Sequence, residues 1–208
     1  MIMNYYQSYS SAVTYALNHV EITTLDGSTV VHGEAIDRLC AMSRGIRGGS
    51  RQQIFCGNGA SAAFSSHMAL DWSKNAGVSS RCFSDVALIT AVINDAGADE
   101  LFAIPLRCHA SAGDLLVTVS SSGNSPNIIR ALHAARELGL IIVTLSGLKP
   151  TNQSRQLGDL NLYVPAKTYG IVECVHQVLL HAWLDAYLGI AEWNQEVEQN
   201  MSVSSSLK

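Results

Sequence analysis

Residues 115–130, LLVTVSSSGNSPNIIR, run from an unbroken apolar stretch through a serine cluster around Gly123 into a segment that opens on Ser125 and Pro126. A short apolar run bounded by a Gly/Ser turn and followed by helix-starting residues is the pattern of a buried strand feeding a helix. Residues 54–71, IFCGNGASAAFSSHMALD, repeat that design with fewer serines. A strand that stops in small polar residues and opens a helix leaves several backbone N–H groups unpaired. Those donors, with the positive end of the helix dipole, suit an anion. Gly123 permits a backbone conformation that other residues resist. Ser125 suits an N-cap and Pro126 the first helical position. Capping accounts for those two residues but not for Ser120, Ser121 and Ser122, whose hydroxyls are read as phosphate donors. The first turn alone, GNGAS, could be a tight connection, but a second such turn makes ligand contact the better reading. Two anion turns with few basic residues nearby point to a small phosphorylated metabolite.

Outward from these turns the same alternation continues. Strand Gln53–Cys56 leads to a helix from about Ala60 to Asn75, and a strand near Ser80–Phe83 leads to helices at 86–94 and 98–110. Strand Leu115–Ser120 leads to helix Pro126–Leu138, followed by strands Ile141–Ser146 and Leu160–Val164 and a long helix over 171–190. Near-continuous apolar strands alternating with helices indicate an α/β fold: a parallel sheet covered on both faces, a Rossmann-like three-layer sandwich. Ligands in such folds sit at the carboxyl ends of the strands, where both turns lie. Before the first strand, Tyr6, Tyr9, Val13, Leu17 and Val20 form one helical stripe, and a second helix covers 29–46. These two helices have no sheet of their own to cover, and the favoured reading is that they build an oligomer interface. The expected organisation is a single domain over 1–198, including the N-terminal helical segment 1–50, with a Ser-rich, disordered tail at 199–208.

The chain has 208 residues, enough for one α/β domain with a proper core. It is 48% hydrophobic and only 14% charged, which suggests that some surface is buried between subunits. A net charge of −4 without a basic stripe argues against nucleic acid as a partner. The five cysteines, Cys40, Cys56, Cys82, Cys108 and Cys174, form no CxxC pair and read as reduced thiols of a cytoplasmic protein. The N-terminus lacks the parts of a signal peptide, and no apolar run approaches the ~20 residues that span a bilayer.

His67 and Asp71 are four apart on the helix after the first turn and share a face. Glu173, Gln177 and His181 fall at steps of four on the last helix, whereas His176 points elsewhere. A histidine and a carboxylate from each of two helices make four possible ligands for zinc or a similar ion. Ordinary helix-face pairing explains either pair alone. His19, His32, His109 and His133 have no evident partners.

Four motifs in order, CGNGASAAFSSH, SDVALITAVINDAGADELF, VSSSGNSPNIIRALHAAREL and ECVHQVLLH, resemble the sugar isomerase (SIS) domain family and within it the phosphoheptose isomerase branch. The likeness covers roughly residues 30–188. It implies an SIS-type α/β domain that assembles as a homotetramer with active sites near subunit interfaces. It implies that Asn58, Ser61, Ser120, Ser121, Ser122 and Ser125 hold a sugar phosphate and that Asp95 lies near its hydroxyls. It implies one zinc ion per chain on His67, Asp71, Glu173 and His181, with Asp71 and His181 also acting in catalysis and Glu173 an alternative base. The chain departs from the family pattern at several places. Asp71 stands for a usual Glu, and Glu173 for a usual Gln. Gly170-Ile171-Val172-Glu173-Cys174 replaces D-R-I-Q-E, so an acid and an arginine are missing.

The implied activity is aldose–ketose isomerisation of a sugar phosphate through an enediol. Sedoheptulose 7-phosphate, giving D-glycero-D-manno-heptose 7-phosphate, or a related long-chain ketose phosphate is the expected substrate. The competing readings are a non-catalytic SIS tetramer serving as a protein-binding platform, of the kind that associates with a replication initiator, and a sugar-phosphate sensor or a lyase of the same fold.

Overall fold

The computed structural model describes residues 4–192. In chain order the elements are α1 (Tyr5–Asn18), β1 (Glu21–Thr24), α2 (His32–Ile46), β2 (Gln53–Gly57), α3 (Ala60–Asn75), β3 (Ser80–Cys82) and α4 (Val86–Ala96). Then follow α5 (Ala103–His109), β4 (Leu115–Ser120), α6 (Pro126–Glu137), β5 (Ile141–Gly147), β6 (Leu160–Val164) and α7 (Tyr169–Leu188). The strands form one sheet in the order β1-β6-β5-β4-β2-β3. Every pairing is parallel except β1 with β6, where Ile22 stands opposite Leu162.

β1 corrects the expectation of two helices before the first strand. Glu21–Thr24 is too short to display a period of two, and the sign it does give is the Asp26-Gly27 turn that follows: Gly27 has φ 84°, Val30 N–H donates to the Ile22 carbonyl at 2.9 Å, and Thr23 bridges Thr29 across the turn. The helix expected at 98–110 is interrupted as well. A 3₁₀ turn at Ala98–Glu100 precedes α5, and Pro105 has no N–H to donate back toward Leu101, so a continuous helix would lose a bond there. The expected tail at 199–208 lies outside the described residues.

Side chains alternate across the sheet, as strands buried on both faces require. Phe55, Val117, Val119, Val143 and Leu145 face the layer that includes Leu39, Trp72, Val175 and Trp183 of α2, α3 and α7. Ile54, Cys56, Leu116 and Ile142 face the layer that includes Leu106, Ile128, Leu132 and Ala135 of α5 and α6. From β2 the order runs outward to β3 on one side and through β4, β5 and β6 on the other. The direction therefore reverses between β2 and β4. Their following helices, α3 and α6, pass to opposite faces and open a crevice between the strand ends. That switch point is where doubly wound sheets bind ligands, and both Gly/Ser turns sit there.

Candidate functional site

Two close approaches shape the crevice. A Cβ on Gly57 would lie 2.6 Å from the Ser61 carbonyl oxygen, so only glycine lets β2 end against the first turn of α3. Gly123 has φ 61°, and a Cβ there would overlap the amide of Asn152. Asn152 is fully buried. It donates to the Lys149 carbonyl at 2.8 Å and to Ser146 Oγ at 3.2 Å. Ser154 N–H donates to Gly123 O at 2.9 Å, and Gln153 N–H donates to Asn124 Oδ1 at 3.0 Å. The serine turn is thus fixed from beneath by residues 152–154. The two turns are also tied to each other, because the Asn58 and Asn127 amides exchange two bonds of 2.9 Å.

Asn58, Ser61, Ser120, Ser121, Ser122 and Ser125 line one small cavity of about 100 Å³, with Tyr169 and Glu173 at its border. Its volume is well below that of a cleft for a large ligand. Ser121 Oγ is buried and has no partner among the described residues. Ser125 stands at the N-cap of α6, but its hydroxyl makes no capping bond, contrary to the capping role expected of it. Those hydroxyls are therefore free for something outside the fold. α3, α6 and α7 all begin at this cavity, through Ser61, Ser125 and Tyr169. Three helix N-termini and neutral hydroxyls meet at this cavity, whose lining holds no Lys or Arg and one carboxylate, Glu173; backbone donors of this kind suit an anion.

Further along α3, His67 lies 3.2 Å from Asp71, Nε2 to Oδ2. The His67 and His181 rings meet edge to face, with centroids 5.4 Å apart. One ligand atom from each of His67, Asp71 and His181 lies within 4.8 Å of the other two. Two imidazoles and a carboxylate are the borderline donors that zinc and similar ions take, so the residues fit such an ion. Glu173, the fourth ligand expected, is not among the groups within that distance. Eight residues of helix rise about 12 Å, so Glu173 sits toward the serines and His181 toward the far end of α7. Asp95 is exposed on α4, accepts from the neighbouring Asn94 amide, and lines neither the serine cavity nor the larger cavity along α7.

A second cavity, of about 1040 Å³ and mostly apolar, runs along α7 and includes Tyr9, Phe64, Glu173, Gln177 and His181. Glu173 lines both cavities and joins them. The Gln177 amide nitrogen lies 2.6 Å from His181 Nε2. Tyr9 is pushed above the usual phenol range, first by desolvation and then by a hydrogen bond with Cys174. His176 is buried, as its turn away from the stripe implies, and its Nε2–H donates to the Ser146 carbonyl at 3.1 Å. Tyr9, Asn127, Asn152, Tyr169 and Gln177 were not singled out as site residues from the sequence. Only Gln177 gave a sign, by its place in the Glu173–His181 stripe.

Residues 34–147 match the SIS domain family. The chain is 35% identical over 134 residues to the phosphoheptose isomerase of Nitratidesulfovibrio vulgaris, covering 62% of this chain and 64% of that protein. It is 32% identical over 168 residues to the phosphoheptose isomerase of Halorhodospira halophila, covering 73% and 84%. The solved structure of the phosphoheptose isomerase of Neisseria gonorrhoeae superposes with a TM-score of 0.75 at 26% identity, covering 88% of this chain and 94% of that one.

Proposed function

The chain belongs to the SIS domain family, and from that premise we propose that it is an aldose–ketose isomerase of a long-chain sugar phosphate. Sedoheptulose 7-phosphate, converted to D-glycero-D-manno-heptose 7-phosphate, is the proposed substrate. The observation that supports this reading is that a serine-lined cavity and an imidazole–carboxylate group lie on the same stretch of α7, with Glu173 bordering both the serine cavity and the cavity that His181 lines. A serine-lined anion cavity lies near the start of α7, and an imidazole–carboxylate group lies about two turns further along it. That separation suits an extended sugar phosphate of several carbons.

The phosphate rests on the hydroxyls of Ser61, Ser120, Ser121, Ser122 and Ser125 and on the open N-termini of α3 and α6, with Asn58 holding the two turns together. That binding energy positions the reacting carbons at the other end. Isomerisation moves a proton between C1 and C2 and another between the two oxygens. Asp71 and His181 share this work, one at carbon and one at oxygen. Glu173, between the two ends, is the alternative base. Zinc, one per chain on His67, Asp71 and His181, would polarise the carbonyl and stabilise developing negative charge on oxygen. Glu173 completes that set only if its side chain swings along the helix.

The proposed assembly is a homotetramer. α4 buries none of its side chains within the chain although its sequence, VALITAVINDA, is largely apolar, and Tyr5, Tyr6, Tyr15 and Val86 are strongly exposed. Among the described residues no helix is long and apolar enough to cross a membrane. We propose a cytoplasmic location and no nucleic-acid partner. Gly170 and Ile171, which stand where the family pattern has an acid and an arginine, favour the second reading, a non-catalytic binding platform. Proton NMR of ketose phosphates incubated with the protein in deuterium oxide separates the two. Isomerisation through an enediol replaces the C1/C2 hydrogens with deuterium, and a full panel of ketose phosphates without exchange would refute the enzyme.

A further inference from the structure

Gly170 lies in the first turn of α7 with an ordinary helical backbone, since it is absent from the residues of positive φ. Nothing in its conformation calls for glycine, and glycine costs stability in a helix relative to alanine. What a side chain there would change is the place of Tyr9. A Cβ at this position would stand 2.8 Å from the Tyr9 hydroxyl oxygen. The missing side chain therefore lets α1 pass its phenol close over the start of α7. Tyr9 lines the large cavity together with Cys174, with which its hydroxyl bonds, and Glu173, the residue shared with the serine cavity. Tyr9 and Gly170 act as one unit: the second makes the room that the first fills.

We infer that Tyr9 touches the substrate and determines specificity, its hydroxyl taking a sugar hydroxyl between the phosphate and the reacting carbons. The inference rests on the sugar-phosphate reading above and goes beyond it in assigning α1 a part in recognition. The position fits the middle of the ligand. Tyr169, next to Gly170, lines the serine cavity, and Glu173 borders both cavities, whereas His181 is a further two turns away. A phenol both donates and accepts one hydrogen bond, as a sugar hydroxyl does. It would thus distinguish a polyol chain from a bare phosphate, which the serines alone cannot do.

The test is equilibrium binding by calorimetry, which needs no turnover. Sedoheptulose 7-phosphate and inorganic phosphate are titrated into the full-length protein and into its Tyr9→Phe and Gly170→Ala variants. The expected result is that each variant loses about five- to tenfold in affinity for the sugar phosphate, the worth of one hydrogen bond to a neutral group. Affinity for inorganic phosphate stays unchanged, which also shows that the variants are folded at the serine cavity. Wild-type affinity for the sugar phosphate in either variant overturns the role of Tyr9 and leaves the isomerase reading intact. An equal loss for both ligands overturns it too, because it would make the pair a structural support of the cavity. Failure of the unaltered protein to bind either ligand sinks the sugar-phosphate reading itself.

Discussion

His176 makes the stability of this fold depend on pH in a way that can be worked out from its surroundings. The ring is fully buried on α7, and burial pulls its pKa from 6.5 down to about 4, only partly opposed by the bond to the Ser146 carbonyl. Its other nitrogen, Nδ1, has no partner among the described residues, and no carboxylate bonds to the ring to favour the charged form. The folded state therefore keeps the ring neutral where the unfolded chain already binds a proton. The sign follows: the contribution is fully present above about pH 6.5 and is lost as pH falls toward 4. Below that the folded ring also protonates and the loss levels off. At about 1.4 kcal/mol per unit, the whole window is worth about 3 kcal/mol. Urea unfolding of the protein and of His176→Gln, at a series of pH values from 7.5 to 4, isolates this group. The other titrating groups contribute to both curves. The variant should start lower at pH 7.5, because it loses packing around the ring. The gap between the curves should then narrow by about 3 kcal/mol toward pH 4. Parallel curves would refute the argument, because the ring would then titrate alike in both states.

Other substitutions test the crevice. His181→Ala should lower turnover at least ~100-fold if the imidazole transfers a proton, and near-normal rates in the deuterium-exchange assay would remove it from the mechanism. His67→Ala should reduce zinc in protein purified without added metal from about one ion per chain to well below half, read by elemental analysis; undiminished zinc would place the ion elsewhere. Gly123→Ala must adopt a left-handed backbone and displace the Asn152 amide, and should cost about 2–4 kcal/mol in denaturant unfolding. Asn58→Ala and Asn127→Ala, taken through a double-mutant cycle, should show coupling of about 0.5–1 kcal/mol; additive losses would mean that the amide pair does not tie the turns together.

Most of the architecture was legible because its signals are local. The limits of α3 at Ala60 and Asn75, and those of β4 and β6, follow from Gly/Ser turns and apolar runs that need no partner to be recognised. β1 escaped because its long ladder is with β6, about 140 residues later, and the local sign, the Asp26-Gly27 turn that folds Thr29 and Val30 back on it, was passed over. The break before α5 was written in Pro105 but outweighed by the apolar content of 98–110. Ser125 was read as a cap from its position, yet its hydroxyl is left free, because the Ser125 carbonyl already accepts from Ile128 and Ile129 and the side chain is not needed there.

The site divides along the same line between local and distant causes. The serine cavity could be named residue by residue, since each hydroxyl lies within a few positions of the turn that aims it. The supports of that turn could not. Asn152 acts on Gly123 from about 30 residues away, through a contact that only the folded β5–β6 connection creates. The imidazole–carboxylate group was legible in its i,i+4 pair on α3, whereas Glu173 entered the expected set of ligands through the family resemblance, although it stands about two turns from His181. Glu173 and His181 do share a stripe of α7, yet a stripe is a line about 12 Å long over eight residues. The helix uses that length rather than collapsing it, bringing one residue to the serine cavity and the other to the histidine pair. Helical phase predicts which side chains face the crevice, and only the rise along the axis tells which end of a bound molecule each one meets.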